Sequence, residues 1–163
     1  RGDEVGDRPI GYPRTCIDVG VDSAPALRAL GAGHVRDRML AGASIIVGGV
    51  FVEALARGTV GPGGSIDDAA AREAINVTVR AAPWVTVDRL RVYVNGTLTA
   101  MSAIDSSTED PLEPTVRFRA PVEVAVEGRA FVVIVADSDG DLAPVHPGNR
   151  PFGVTNPIFF RRP

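Results

Sequence analysis

The chain has 163 residues, 45% of them apolar, and a formal net charge of −3, which suffices for one ordinary domain with a proper core, or a small domain with an extension. No run approaches the roughly 18 apolar residues needed to cross a bilayer, and the acidic balance offers no basic face for nucleic acid. Every one of the 17 basic residues is Arg, which alongside the abundance of Ala, Val, Gly and Pro reads as the codon bias of a GC-rich, bacterial genome.

The opening stretch RGDEVGDRP is polar and carries neither an initiator Met nor a signal peptide. The expectation is a processed start or a piece of a longer protein. Residues 1–23 read as extended or loop-like, with Cys16, Ile17, Val19 and Val21 as a short apolar segment. Cys16 is the single cysteine and cannot close an intrachain disulfide, so it leaves the compartment open; a periplasmic or secreted location is an expectation only. Between Pro25 and Ala41, Gly31 and Gly33 predict a break into a short turn and a helix from about His34. That helix places Val35, Met39 and Leu40 on one face and Arg36, Asp37 and Arg38 on the other, with Gly42 as its stop. Ser44 to Val47 and Val50 to Leu55 read as two short strands separated by Gly48-Gly49, and Gly58 to Gly64 reads as a loop.

From Ala74 the apolar period becomes two. Ile75, Val77 and Val79 alternate with polar residues, as do Leu90, Val92 and Val94 before an Asn95-Gly96 hairpin turn. Ala103 to Pro114 is an acidic loop. Val116 with Phe118 predicts one strand, and Val122, Val124 and Val126 another. Phe131 to Val135 is an unbroken, mostly β-branched run, read as a central strand covered on both faces. Four prolines make the remainder irregular until Ile158, Phe159 and Phe160. The fold class is therefore mainly β: an immunoglobulin-like β-sandwich of about six or seven strands, preceded by a short α/β segment.

No catalytic set emerges. His34 and His146 are isolated from each other and from any cysteine pair, so a metal site would need carboxylates to complete it; surface or capping roles are the simpler reading. Asp137, Asp139 and Asp141 space carboxylates like a calcium loop, but Gly140 is misplaced for an EF-hand and no closing Glu follows. An acidic turn explains them. Gly61 to Gly64 lacks the Lys and Ser/Thr of a phosphate-binding loop, and no Gly-x-Ser-x-Gly elbow exists. Asn76 and Asn95 open glycosylation sequons where strand and turn chemistry already account for them. Trp84 reads as a core or edge anchor.

Five segments in order carry a resemblance: GYPRTCIDVGVD (Gly11 to Asp22), MLAGASIIVGGVFVEA (Met39 to Ala54), GPGG (Gly61 to Gly64), AAPWVTVDRLRVYVNG (Ala81 to Gly96) and PFGVTNPIFF (Pro151 to Phe160). Together they resemble the C-terminal part of PHP-type (polymerase and histidinol phosphatase) metal-dependent hydrolases, in the carbaryl-hydrolase-like branch. The resemblance implies that residues 1–60 are the end of a barrel and 61–163 an accessory β-sandwich. It also implies that the intact enzyme uses divalent metal ions to cleave an ester or phosphoester, and that the partner of this chain is the N-terminal barrel portion. The family's His-x-His and Ser-Asp-Ser-His-like ligand motifs do not occur here. No catalytic residue, metal ligand or cofactor is therefore assigned to this chain. Tyr12 and Arg14, which follow the last ligand motif in the family, are the candidates for substrate binding; for Arg14 a structural salt bridge is the favoured competing role. The alternative from another class is a free-standing β-sandwich binding or adhesion module, for which calcium at Asp137, Asp139 and Asp141 would speak. A structural domain without a ligand is the third.

Overall fold

A computed structural model describes residues 11–163; the polar opening stretch falls outside the described residues. The first elements are β1 (Arg14–Ile17), α1 (Ala24–Leu40), β2 (Ser44–Gly48), β3 (Val50–Ala56) and β4 (Ser65–Ile66). They are followed by β5 (Arg72–Ala81), β6 (Arg89–Val94), β7 (Thr97–Ala103), β8 (Val116–Ala125), β9 (Arg129–Asp137), β10 (Phe152–Thr155) and β11 (Ile158–Arg161). The described residues are mainly β, with one helical segment and two sheets consistent with a sandwich.

The eight-stranded sheet is organised around β9, which pairs with β6 along one edge and with β11 and then β10 along the other. β2 and β1 extend it beyond β10, β7 extends it beyond β6, and the two-residue β4 joins β11 in parallel. Between its ladder with β11, which ends at Val132, and that with β10, which begins at Val135, β9 has a gap. The buried Thr155 hydroxyl fills it by accepting the Ile134 N–H at 3.0 Å. A buried N–H without a partner would cost more than a typical hydrogen bond returns. The small sheet has the order β3-β5-β8, antiparallel throughout.

The alternating patterns explain the core. Val50, Val52, Ala54 and Ala56 of β3 and Ile75, Val77 and Val79 of β5 face inward from the small sheet. Leu90, Val92, Val132, Ile134, Ile158 and Phe160 face them from the large one. Strands on both sides of residue 60 thus feed one core cluster. The chain changes sheets at Gly48-Gly49, so the two short strands predicted there lie in different layers. β10 then crosses so close to β3 that a Cβ on Gly153 would overlap the Val50 carbonyl oxygen and lie 2.8 Å from Val52 Cγ2.

Two expectations need correction, and a third is narrowed. β9 is central, but it is not covered on both faces: Ala130, Val132, Ile134 and Ala136 are buried, while Val133 and Val135 are half-buried and Phe131 is 36% exposed. An unbroken apolar run cannot distinguish two covered faces from one covered face and one apolar outer face. The two strands predicted around Val116 and Val124 are a single ten-residue strand, β8. Pro121 is accommodated because β8 is an edge strand, where a missing N–H breaks no ladder. Of the two places expected for Trp84, core or edge, half exposure leaves the edge, and Val85 takes the buried place beside it.

The helix, the hairpin and the acidic loop follow the local signals. Ser23 caps α1 through its Oγ, which accepts the Ala26 N–H. Gly31, at φ 72°, kinks the helix where the glycines predicted a break, and Gly42 follows the C-cap with its N–H donating to Met39 O. The hairpin turn places Asn95 and Gly96 at φ 51° and 81°, as a type I′ turn requires. Residues 104–115 form the connection between β7 and β8.

Candidate functional site

At one end of the sandwich, the segment before β1, the junction of β2 and β3, the turn after β5 and the loop ahead of β10 enclose a cleft of about 490 Å³. Its apolar walls include Tyr12, Phe51, Trp84, Leu142 and Val145; its polar groups include Arg14, Arg80 and His146. Among the described residues, no carboxylate lines it.

Local structure sets each of these side chains. Among the contacts that hold Tyr12, its hydroxyl donates to Arg150 O at 2.6 Å, its ring lies 5.3 Å from that of His146, and it meets Phe152 edge-on at 6.0 Å. Such tilted and edge-to-face contacts suit the charge distribution of aromatic rings. Arg14, the first residue of β1, is exposed and donates from Nε to Gly11 O at 2.6 Å. It forms no ion pair with a described carboxylate, so the salt bridge favoured on sequence grounds is absent among the described residues. Arg80 differs: Glu53 and Glu113 both pair with it, which raises its pKa further, with the hydrogen bond to Glu113 as the leading cause. The structure therefore brings Tyr12 and Arg14 into one cleft and adds Trp84, Phe51 and His146 to them. Their convergence was not visible in sequence, since Tyr12 and His146 are far apart along the chain and meet only through the β2–β10 pairing.

His146 Nδ1 is enclosed and has no hydrogen-bond partner among the described residues. His34 plays an ordinary structural role. Its Nε2 lies 3.0 Å from Val19 O, and one helical turn later Arg38 donates to Asp18 O and pairs with the Asp18 carboxylate. The helix is thus tied down by polar contacts.

A second cleft, of about 570 Å³, lies between β1, β2 and β3 and is lined by Cys16, Ile45, Val52, Leu55 and three carboxylates, Asp18, Asp22 and Glu53. It is larger, yet two of its carboxylates are already neutralised, Asp18 by Arg38 and Glu53 by Arg80. The smaller cleft has convergent aromatic rings and a cation without a counter-ion among the described residues, and so the stronger chemistry for recognition.

The metal ions that the resemblance implies do not fit the residues present. No three His, Cys, Asp or Glu side chains stand together in a metal-holding arrangement among the described residues. Asp137 is paired with Arg89 and Arg91, and Asp139 with Arg89 and Arg150. The Arg89 guanidinium, with a lesser contribution from Arg150, lowers the Asp139 pKa. Asp141 accepts the N–H groups of Ala143 and Gly148. Of the three carboxylates spaced like a calcium loop, two are therefore bridged by arginines and the third holds backbone N–H groups of its own turn.

What the cleft can do chemically is bind: it offers flat apolar surface and one guanidinium without an ion pair, with no nucleophile–base pair among the described residues that line it. Set beside known proteins, the chain matches no family model, no curated protein and no solved structure.

Proposed function

We propose that this chain is the C-terminal accessory segment of a PHP-type metal-dependent hydrolase, without turnover of its own. The segment from β1 to α1 borders the barrel, and the immunoglobulin-like sandwich, which takes in β2 and β3 as well as the strands after residue 60, shapes the entrance to the active site. Hydrolysis of an ester or phosphoester by metal-activated water belongs to the barrel portion. The five ordered segments motivate the reading.

The observation that carries it is the state of α1. None of its residues is buried, and Met39 and Leu40 stand 54% and 81% exposed on the face predicted to be apolar. A helix held to its own domain through His34 and Arg38, with Leu27, Met39 and Leu40 exposed while Leu30 and Val35 are half-buried, has the form of an element that packs against something else. The half-exposed outer face of β9 adds apolar surface of the same kind.

The test begins with the coding region immediately upstream of Arg1. The reading requires a Ser-Asp-Ser-His-like motif there and a His-x-His further back. The longer, metal-loaded protein should then hydrolyse ester or phosphoester substrates, and α1 amides should gain about tenfold in exchange protection over the 163-residue chain. An unrelated upstream sequence, or unchanged protection of α1 in the longer protein, overturns it.

A further inference from the structure

We propose that the cleft between Tyr12, Trp84 and His146 binds a small molecule in which one anionic group, a carboxylate or a phosphate, is joined to a flat apolar body. The inference rests on the reading of this cleft as facing substrate, and it adds the class of ligand.

The charge of the cleft is local and opposite to that of the chain. A protein of net charge −3 repels anions on average, yet the described residues lining this cleft include two Arg, one His and no carboxylate. Arg80 is neutralised by Glu53 and Glu113, which leaves Arg14 as the cation that a ligand meets. Arg14 uses Nε on Gly11 O, and neither of its terminal nitrogens has a hydrogen-bond partner among the described residues. A guanidinium presented in this way favours oxyanions that accept two parallel hydrogen bonds, as carboxylates and phosphates do.

The body of the ligand is set by the walls. The indole of Trp84 is 50% exposed at the rim, Val145 is exposed, and Leu142 is buried beneath. Flat and aliphatic surfaces on both sides of a space of about 490 Å³ accommodate an aromatic or similarly thin group. The neighbouring cleft is a useful contrast, because it has comparable apolar walls but carboxylates in place of cations.

Trp84 is the only tryptophan, so its fluorescence reports this site alone. The 163-residue chain is titrated with benzoate, with phenyl phosphate and with the neutral analogue benzyl alcohol. At least one of the two anions should saturate the signal with a Kd about tenfold or more below that of benzyl alcohol. Saturation by only one anion supports the proposal and fixes the head group. Arg14→Gln should bring anion and alcohol to within about twofold, while Arg36→Gln, which removes an exposed guanidinium paired with Asp37 elsewhere, should change nothing. Equal affinity for benzyl alcohol, an unchanged preference in Arg14→Gln, or no saturable response to either anion overturns the proposal. This binding measurement uses the chain alone, whereas the upstream motifs and the protection of α1 test the hydrolase reading, so the two can fail separately.

Discussion

Replacing Gly153 by Ala tests the closest approach of the two sheets. In β10 the added methyl would overlap the Val50 carbonyl oxygen, with Val52 Cγ2 at 2.8 Å and Val50 C at 3.1 Å. Ordinary contacts for a methyl begin near 3.4 Å, so one strand must retreat by roughly 1 Å. Neither strand is free to do so: β10 is paired on both sides, with β2 and β9, and β3 is in a seven-residue ladder with β5. Overpacking against fixed backbone falls at the upper end of the usual range, about 3 kcal/mol. For a chain of this size that lowers Tm by about 6–12 °C. Gly33→Ala is the matched control. Gly33 lies in α1 at ordinary helical φ, and nothing stands within 4 Å of its would-be Cβ. The same chemical change there should stabilise by about 0.5–1 kcal/mol. Thermal unfolding followed by circular dichroism, together with urea titration, reads both. A Gly153→Ala protein as stable as the parent would refute the close crossing of β3 and β10, and with it the packing of the core around Val50 and Val52.

Three further outcomes follow from packing and charge. Ile134→Ala empties the centre of the core, where Ile134 is fully buried, and should cost about 3–4 kcal/mol by urea titration; a loss under 1 kcal/mol would mean β9 is not central. Glu73 is buried on β5, where the Arg57 guanidinium first and then the Ala70 N–H lower its pKa against the opposing effect of burial. Because the folded pKa lies below the unfolded one, the carboxylate stabilises the fold above the ordinary glutamate range and loses that contribution as pH falls through the folded value. Glu73→Gln should therefore cost about 1–2 kcal/mol at neutral pH, and its difference from the parent should shrink as pH falls below the ordinary glutamate range; a difference independent of pH removes the ion pair from the account. Leu40→Ser should leave stability within about 0.5 kcal/mol by urea titration, because Leu40 stands 81% exposed. Strong destabilisation would show that Leu40 is already packed.

The β class, the helix break at Gly31, the Asn95-Gly96 turn and most inward residues were legible in the sequence because each depends on a short period or a single backbone preference. Ile75, Val77 and Val79 alternate whichever strand lies beside them, and Gly31 takes positive φ whatever the helix touches. Layer assignment was not local. Ser44 to Val47 and Val50 to Leu55 look like neighbours in one sheet, yet the turn at Gly48-Gly49 sends them to opposite sheets, and only the partners β10 and β5 decide that. The covered face of β9, the tolerance of Pro121 at an edge and the exposure of Trp84 depend in the same way on what packs alongside. Tyr12 and Arg14 were singled out by resemblance, but their setting was decided by tertiary structure. The pairing of β2 with β10 brings His146 and Phe152 to Tyr12, and the commitment of the nearby carboxylates to Arg80 and Arg38 leaves Arg14 without an ion pair among the described residues. A one-dimensional pattern fixes which way a side chain points from its own strand, whereas a site requires strands distant in sequence to meet, and that follows from the pairing energy of the whole sheet.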